Sequence, residues 1–301
     1  MRILITGSSG MIGSHLMERL GKKHTIVEFS RSGGKDITSL ADVEKSIKGV
    51  DVVIHAAAEL DETKKEEEIY KTNVQGTRNV ITAAEEEGID QLIFVSSVAV
   101  YPEANQKLDE KSETGPITPY GHSKKEAEEL VWNMQELFPV TIIRPALVVG
   151  PNTYWKGIFK TIKKGFPLIG KGENAWQMID VDDLTDFISL CVGNEDAYNE
   201  RYVVAEKETH TLREVVDMIA EIEGVKKPGT IPKPLGIAIS HIFGLQGKLT
   251  GKKPLLIPAH VKRLFKHREY DITKAMKLGW KPKHSTNESL QKTYDELNSM
   301  K

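Results

Sequence analysis

Tyr120 and Lys124 stand four residues apart in Thr118-Pro-Tyr-Gly-His-Ser-Lys124, a spacing that puts both side chains on one face of a helix. Thr118 suits the N-cap and Pro119 the first helical position, where a missing N–H leaves nothing unpaired. The helix is predicted to run to about Leu137. A free phenol, with a pKa of about 10, is a poor base near neutrality. A neighbouring ammonium favours the phenolate and brings it toward working range. The pair can therefore move a proton to or from an oxygen. A hydroxyl aimed at that oxygen would stabilise developing charge, and Ser96-Ser97 ends the apolar run from Gln91, read as a buried strand. Tyr-x-x-x-Lys occurs by chance in many helices, so its meaning depends on the elements that position it.

The first of these is Arg2-Ile-Leu-Ile-Thr-Gly-Ser-Ser-Gly-Met-Ile-Gly13. Ile3 to Ile5 reads as a strand buried on both faces. Gly7, Gly10 and Gly13 follow at three-residue spacing, and Met11, Ile12, Leu16, Met17 and Leu20 fall at helical period. Strand, glycine turn and helix together predict a phosphate site, with the backbone close to a pyrophosphate and the helix N–H groups facing its charge. The second strand, Thr25 to Phe29, ends in Ser30-Arg31. An acidic residue about 20 positions past the glycines would bind the adenosine ribose of NAD. Serine there removes repulsion toward a 2′-phosphate, and Arg31 offers a cation for it. The expected cofactor is NADP, with NAD less favoured.

Thr6-Gly-Ser-Ser-Gly10-Met-Ile-Gly13, Asn73-Val-Gln-Gly-Thr, Tyr120-Gly-His-Ser-Lys124, Arg144-Pro-Ala-Leu-Val-Val-Gly-Pro151 and Trp176-Gln-Met-Ile-Asp-Val-Asp-Asp183 occur in order. Together they resemble the extended short-chain dehydrogenase/reductase (NAD-dependent epimerase/dehydratase) family, the likeness being strongest over residues 1–184. Tyr270 to Pro282 resembles the family's closing segment. The resemblance implies that Ser97, four before Tyr101, with Tyr120 and Lys124, is catalytic, and that Lys124 also reaches the nicotinamide ribose. It places Gly7, Ser9, Gly10, Met11, Ile12, Gly13, Ser30 and Arg31 along the cofactor. Asp36 and Ile37 would lie at the adenine, the small residues Ala56, Ala57 and Ala58 beside the ligand, and Asn73 beneath the active site. Val95 and Pro145, Ala146, Leu147 and Val148 complete that set. Ser97, Tyr154 and Trp176 are assigned to the substrate pocket. The implied fold is α/β, a doubly wound parallel sheet (Rossmann). Residues 1–151 and about 179–204 would bind the dinucleotide. A smaller, discontinuous C-terminal substrate domain would comprise about 152–178 and 205–301.

Bulk properties narrow the partners. The formal charge of −2 and pI near 6.5 do not suggest a nucleic-acid or membrane-surface specialist. No secretory signal or membrane-length apolar run is visible, so a cytoplasmic protein with a small-molecule substrate is expected, with a homodimer as an option. Cys191, the single cysteine, sits in an apolar context and reads as a core thiol. No metal-ligand spacing is present. Asp61–Glu68 reads as a solvated helix face and Pro228–Pro258 as irregular, with Leu235–Leu245 a lid, a peripheral contact or core packing.

Within the family, Trp176 stands where sugar-nucleotide enzymes commonly carry a diphosphate-binding Arg. With Gly165–Gly172 and Gly251–Pro258, it favours the branch similar to dihydroflavonol reductases and 3β-hydroxysteroid dehydrogenases. The expected reaction is hydride transfer between the nicotinamide and a carbonyl or secondary alcohol of a largely apolar substrate. The first alternative is a UDP- or GDP-sugar epimerase, dehydratase or reductase, with Lys171 or Arg263 holding the diphosphate. The second is a non-catalytic NADP-binding scaffold or sensor.

Overall fold

The computed structural model describes residues 1–250 and 258–299. Six parallel strands form the main sheet: β1 (Arg2–Thr6), β2 (Thr25–Phe29), β3 (Val52–His55), β4 (Gln91–Val95), β5 (Val140–Pro145) and β9 (Glu200–Val204). Their spatial order is β2-β1-β3-β4-β5-β9. Each central strand is buried on both faces, and its alternate side chains enter different cores. Ile3, Ile5, Val52, Ile54, Ile93 and Val95 face one core, while Leu4, Val53, Leu92 and Phe94 face the other. That period of two under continuous apolar sequence is the mark of a sheet covered on both sides. On one side it is covered by α1 (Met11–Leu20) and α7 (Val181–Cys191), on the other by α2 (Leu40–Ile47), α4 (Gly76–Glu87) and α5 (Pro119–Trp132). The fold is the expected doubly wound α/β architecture.

Between β3 and α4 runs α3 (Glu66–Tyr70), continued through a single π-helical turn at Lys71–Gln75. Beyond β5, β6 (Leu147–Val149) pairs with β8 (Met178–Asp180), and β7 (Leu168–Ile169) pairs with β10 (Thr230–Ile231). A third apolar cluster forms around Trp155, Phe159, Trp176, Val215 and Leu290. It is packed by α6 (Thr153–Lys163), α8 (Leu212–Ile222) and α12 (Thr286–Ser299). Remaining helices are α9 (Lys233–Thr250), α10 (Pro258–Leu264) and α11 (Thr273–Lys277).

Three sequence expectations are corrected. Helix α5 ends at Trp132, not near Leu137, because Pro139 disfavours helix before it and Phe138 must turn into the core. The Pro228–Pro258 stretch is not irregular up to Thr250, since α9 fills residues 233–250. Pro234 sits in its first turn, where no N–H is needed, and a side chain at Gly236 would overlap Ile169. Within Asp61–Glu68 the helix begins only at Glu66, and the Glu62 side chain is 4% exposed rather than solvated. The motif at Gly251–Pro258 lies, up to Ile257, outside the described residues. Cys191 is buried, which pushes its thiol well up. No helix among the described residues is long and apolar enough to cross a membrane.

Candidate active site

Strand order reverses between β2-β1 and β3-β4, the switch point where open α/β sheets bind ligands. There β1 runs into Gly7, whose φ of +74° suits glycine. A Cβ on Gly7 would lie 2.9 Å from the Ala57 backbone, and one on Gly13 would overlap Gly7 O. The glycine loop and the Ala56–Ala58 turn therefore touch. Helix α1 starts at Met11 with Gly10 as N-cap, no side-chain cap and no acidic residue in its first turn. Its free N–H groups and dipole suit an anion. The hydroxyl of Ser8 is buried with no hydrogen-bond partner, whereas the predicted Ser9 is exposed. Glycine cradle, open helix start and orphaned hydroxyl together fit the pyrophosphate of a dinucleotide.

At the end of β2, Ser30 Oγ accepts the Gly33 N–H at 3.2 Å, and Arg31 is exposed beside it. Asp36 is also exposed, and its Oδ1 accepts Thr38 N–H at 2.9 Å. That bond, against weak burial and with Arg31 nearby, holds its carboxyl below the usual range. Ile37 is buried beneath Gly76, and its carbonyl accepts from Asn79.

A buried polar chain crosses the sheet beneath this loop. Thr77 Oγ1 donates to Asn73 O at 2.6 Å, so it must accept from His55 Nε2 at 2.9 Å. His55 Nδ1 then accepts from Thr6 Oγ1 at 2.6 Å, and Ala57 N–H donates to that hydroxyl. Every donor has an acceptor only if His55 is neutral. Burial, with the Lys124 charge adding, pushes its pKa down to about 3. From the π turn, Asn73 accepts from Glu59 N at 2.7 Å and donates to Ser123 Oγ at 2.9 Å. It thus ties the β3–α3 loop to the helix carrying Tyr120.

The adjacent serines separate by partner. Ser96 donates to buried Glu128 at 2.8 Å. Glu128 also pairs with Arg144, which donates to Tyr101 OH at 2.8 Å. Ser97 instead caps the turn at Val98–Val100, with its hydroxyl near the Tyr120 phenol. Burial raises the Tyr120 pKa to about 12, opposed by the Ser97 hydroxyl and by the charge of Arg263. Lys124 donates to Val95 O at 2.6 Å and lies 4.1 Å from the Phe94 ring centre. Burial lowers its pKa to about 7. The ammonium expected to act on Tyr120 is thus hydrogen-bonded to the backbone, and the charge of Arg263 also favours the phenolate. Pro145 and Ala146 are buried, Leu147 and Val148 half-buried, and Val148 O accepts from Trp155 Nε1.

Arg263 and Glu62, whose charges act on Tyr120, belong to a cluster that motif reading largely misses. Arg263 pairs with buried Glu62 at 3.1 Å. Arg268 is 9% exposed, stacks 4.7 Å from the Trp176 ring centre and donates to Arg263 O. Burial lowers its pKa to about 10. Lys266, also buried, donates to Tyr101 O at 2.8 Å and is lowered to about 8 by burial. Glu62 Oε1, Trp176 Nε1, Arg268 Nη1 and Tyr270 OH are all buried without partners. Tyr154, also assigned to the pocket, is exposed, its ring edge-on to Trp155. Trp176 is therefore not a bare apolar wall, because a guanidinium from the C-terminal segment covers its face. Lys171 is 81% exposed and lies 3.7 Å from Glu173. The overlooked signal was local: Arg263, Lys266 and Arg268 end a run from residue 224 without a single Asp or Glu.

Residues 3–205 match the model of the NAD dependent epimerase/dehydratase family. The chain belongs to that family. Family relatives include the N-acetyl-alpha-D-glucosaminyl-diphospho-ditrans,octacis-undecaprenol 4-epimerase of Escherichia coli O157:H7, 30% identical and covering 97% of this chain and 93% of that one. The UDP-glucose 4-epimerase of Vibrio cholerae is 29% identical, with 97% and 94% covered. In structure the chain resembles UDP-glucuronic acid 4-epimerase from Bacillus cereus in complex with NAD, with a TM-score of 0.80, 21% identity and coverage of 100% and 99%. The chain is thus an enzyme of an NAD(P)-linked epimerase/dehydratase family, and the sugar-nucleotide alternative fits these relatives better than the apolar-alcohol expectation.

Proposed function

We propose that this protein is a nicotinamide-dependent epimerase or dehydratase whose substrate is a sugar joined to a diphosphate. The supporting observation is a cationic cluster in which Lys266 and Arg268 are buried, Arg268 Nη1 is left unpaired, and half-buried Arg263 sets its charge on Tyr120. A buried cation without a counter-charge is costly, and an anionic ligand removes that cost. The diphosphates in the substrates for which the two relatives are named are of that kind, with a nucleoside or a polyprenol on the far side.

In this reading the glycine loop and Ser8 hold the cofactor pyrophosphate, and the bound nicotinamide supplies the hydride acceptor and donor. Tyr120 exchanges a proton with a sugar hydroxyl, with Ser97 and the Arg263 charge favouring its phenolate against the rise that burial causes. Ser97, near Tyr120, turns its one hydroxyl hydrogen to the reacting oxygen. Lys124 holds its ammonium against Val95 O, fixing the floor beneath the ring. Asn73 positions the helix through Ser123.

Incubation with UDP-glucose, UDP-N-acetylglucosamine and UDP-glucuronic acid, read by proton NMR, is expected to give an epimerised or dehydrated sugar. Reduction of apolar ketones with no change in any sugar diphosphate would overturn the reading. For the cofactor, Ser30 and exposed Arg31 support the 2′-phosphate form. Arg31→Ala should weaken NADP(H) by roughly 10- to 150-fold, the range of one charge-assisted bond, and leave NAD(H) unchanged. Equal wild-type affinity for both would assign NAD.

A further inference from the structure

Residues 224–268 contain ten Lys or Arg and no Asp or Glu, in a chain whose net charge is −2. The middle of this run is α9. Its Gly236 and Ser240 are buried, Gly236 against Ile169. Leu235, Ala238, Ile242 and Leu245 follow at i, i+3, i+7 and i+10, and so share the opposite face. Leu235 is 49% exposed, Ile242 67% and Leu245 60%. An apolar face on a basic helix that is not apolar enough to cross a membrane is the pattern of a segment lying in the headgroup region of a bilayer. The absence of acidic residues removes repulsion from anionic headgroups. Helix α9 packs on α10, and the chain then leads directly into Arg263, Lys266 and Arg268. The apolar face and the cations of the site thus belong to one continuous segment.

We propose that the exposed face of α9 docks on an anionic phospholipid bilayer, and that the sugar diphosphate taken by the site is lipid-linked. The second half rests on the functional reading above, since it needs a diphosphate site. Docking would set the cationic cluster near the headgroups, where a lipid-linked diphosphate resides and a free nucleotide sugar has no need to be.

The test uses the full chain with vesicles of phosphatidylcholine, with and without phosphatidylglycerol. Wild type should co-sediment with the anionic vesicles and be released by high salt. Ile242→Glu with Leu245→Glu should lower that binding at least tenfold, and the milder Ile242→Ser with Leu245→Ser severalfold. Both variants should keep their turnover of a soluble UDP-sugar while losing most turnover of a polyprenyl-diphosphate sugar held in vesicles. No vesicle binding by wild type, or binding that the variants leave intact, would overturn the docking face. So would a dimer seen by light scattering that the variants dissolve, since the face would then belong to a second copy. Intact vesicle binding without turnover of any sugar diphosphate would overturn the functional reading and the substrate assignment, leaving the docking face standing.

Discussion

The two polar regions flanking Tyr120 are built in opposite ways. On the sheet side, Thr6, His55, Thr77 and Asn73 form a chain in which each hydrogen has one place to go. Glu128 is likewise satisfied by Ser96 and Arg144, although Arg201 Nε, 3.5 Å from it, is buried without a hydrogen bond. On the C-terminal side, Glu62, Trp176, Arg268 and Tyr270 each leave a buried polar atom unpaired. Buried polar groups are nearly always paired, so a cluster of exceptions around Arg268 and Trp176 has a cause. The completed networks fix the backbone on which chemistry depends, whereas the incomplete one keeps its capacity for a ligand. Removing a group from the first should cost stability, and from the second, affinity.

The largest expected effect tests the group between them. Tyr120→Phe should lower turnover about 10²- to 10⁴-fold, the span of lost acid–base catalysis, with cofactor affinity unchanged by calorimetric titration. Near-wild-type turnover would remove Tyr120 from the mechanism.

Glu128→Ala breaks a buried ion pair and strands Arg144, which should cost about 3–5 kcal/mol in chemical denaturation. A loss below about 1 kcal/mol would mean that this network is not the rigid member of the pair. Arg268→Met should do the reverse. Substrate affinity falls by roughly 10- to 150-fold, while the ligand-free protein becomes no less stable, because an uncompensated buried cation is gone. A clear drop in its melting temperature would erase the distinction between the regions.

The smallest effect is a slope. Burial holds Lys124 near a pKa of about 7, below its unfolded value of about 10.5. Between those values the unfolded chain binds more protons than the folded one, so this group makes stability rise with pH across that window. The slope is at most about 1.4 kcal/mol per pH unit. Lys124→Met should flatten it when melting is followed from pH 7 to pH 10, and an unchanged slope would show that Lys124 stays charged.

Much of the sheet side was legible because its determinants are local. Continuous apolar runs mark strands buried on both faces. Glycine at positions 7 and 13 follows from a left-handed φ and a close backbone approach, and Thr118 caps its helix as its place before Pro119 predicts. The end of α5 and the length of α9 are less legible, since Phe138 and Gly236 act through packing against other elements.

The order of motifs by itself determined the family and the doubly wound fold, because each motif states a backbone requirement of its own neighbourhood. What faces Tyr120 only the tertiary structure decided. Glu62 and Arg263 are about two hundred residues apart in sequence and 3.1 Å apart in space, and Arg268 reaches Trp176 across another long interval. Trp176, read alone, argues for an apolar substrate. With a guanidinium on its face it argues for an anionic one. A side chain's type is fixed where it stands in the chain, but its charge environment is a sum over space, and only folding brings the terms of that sum together.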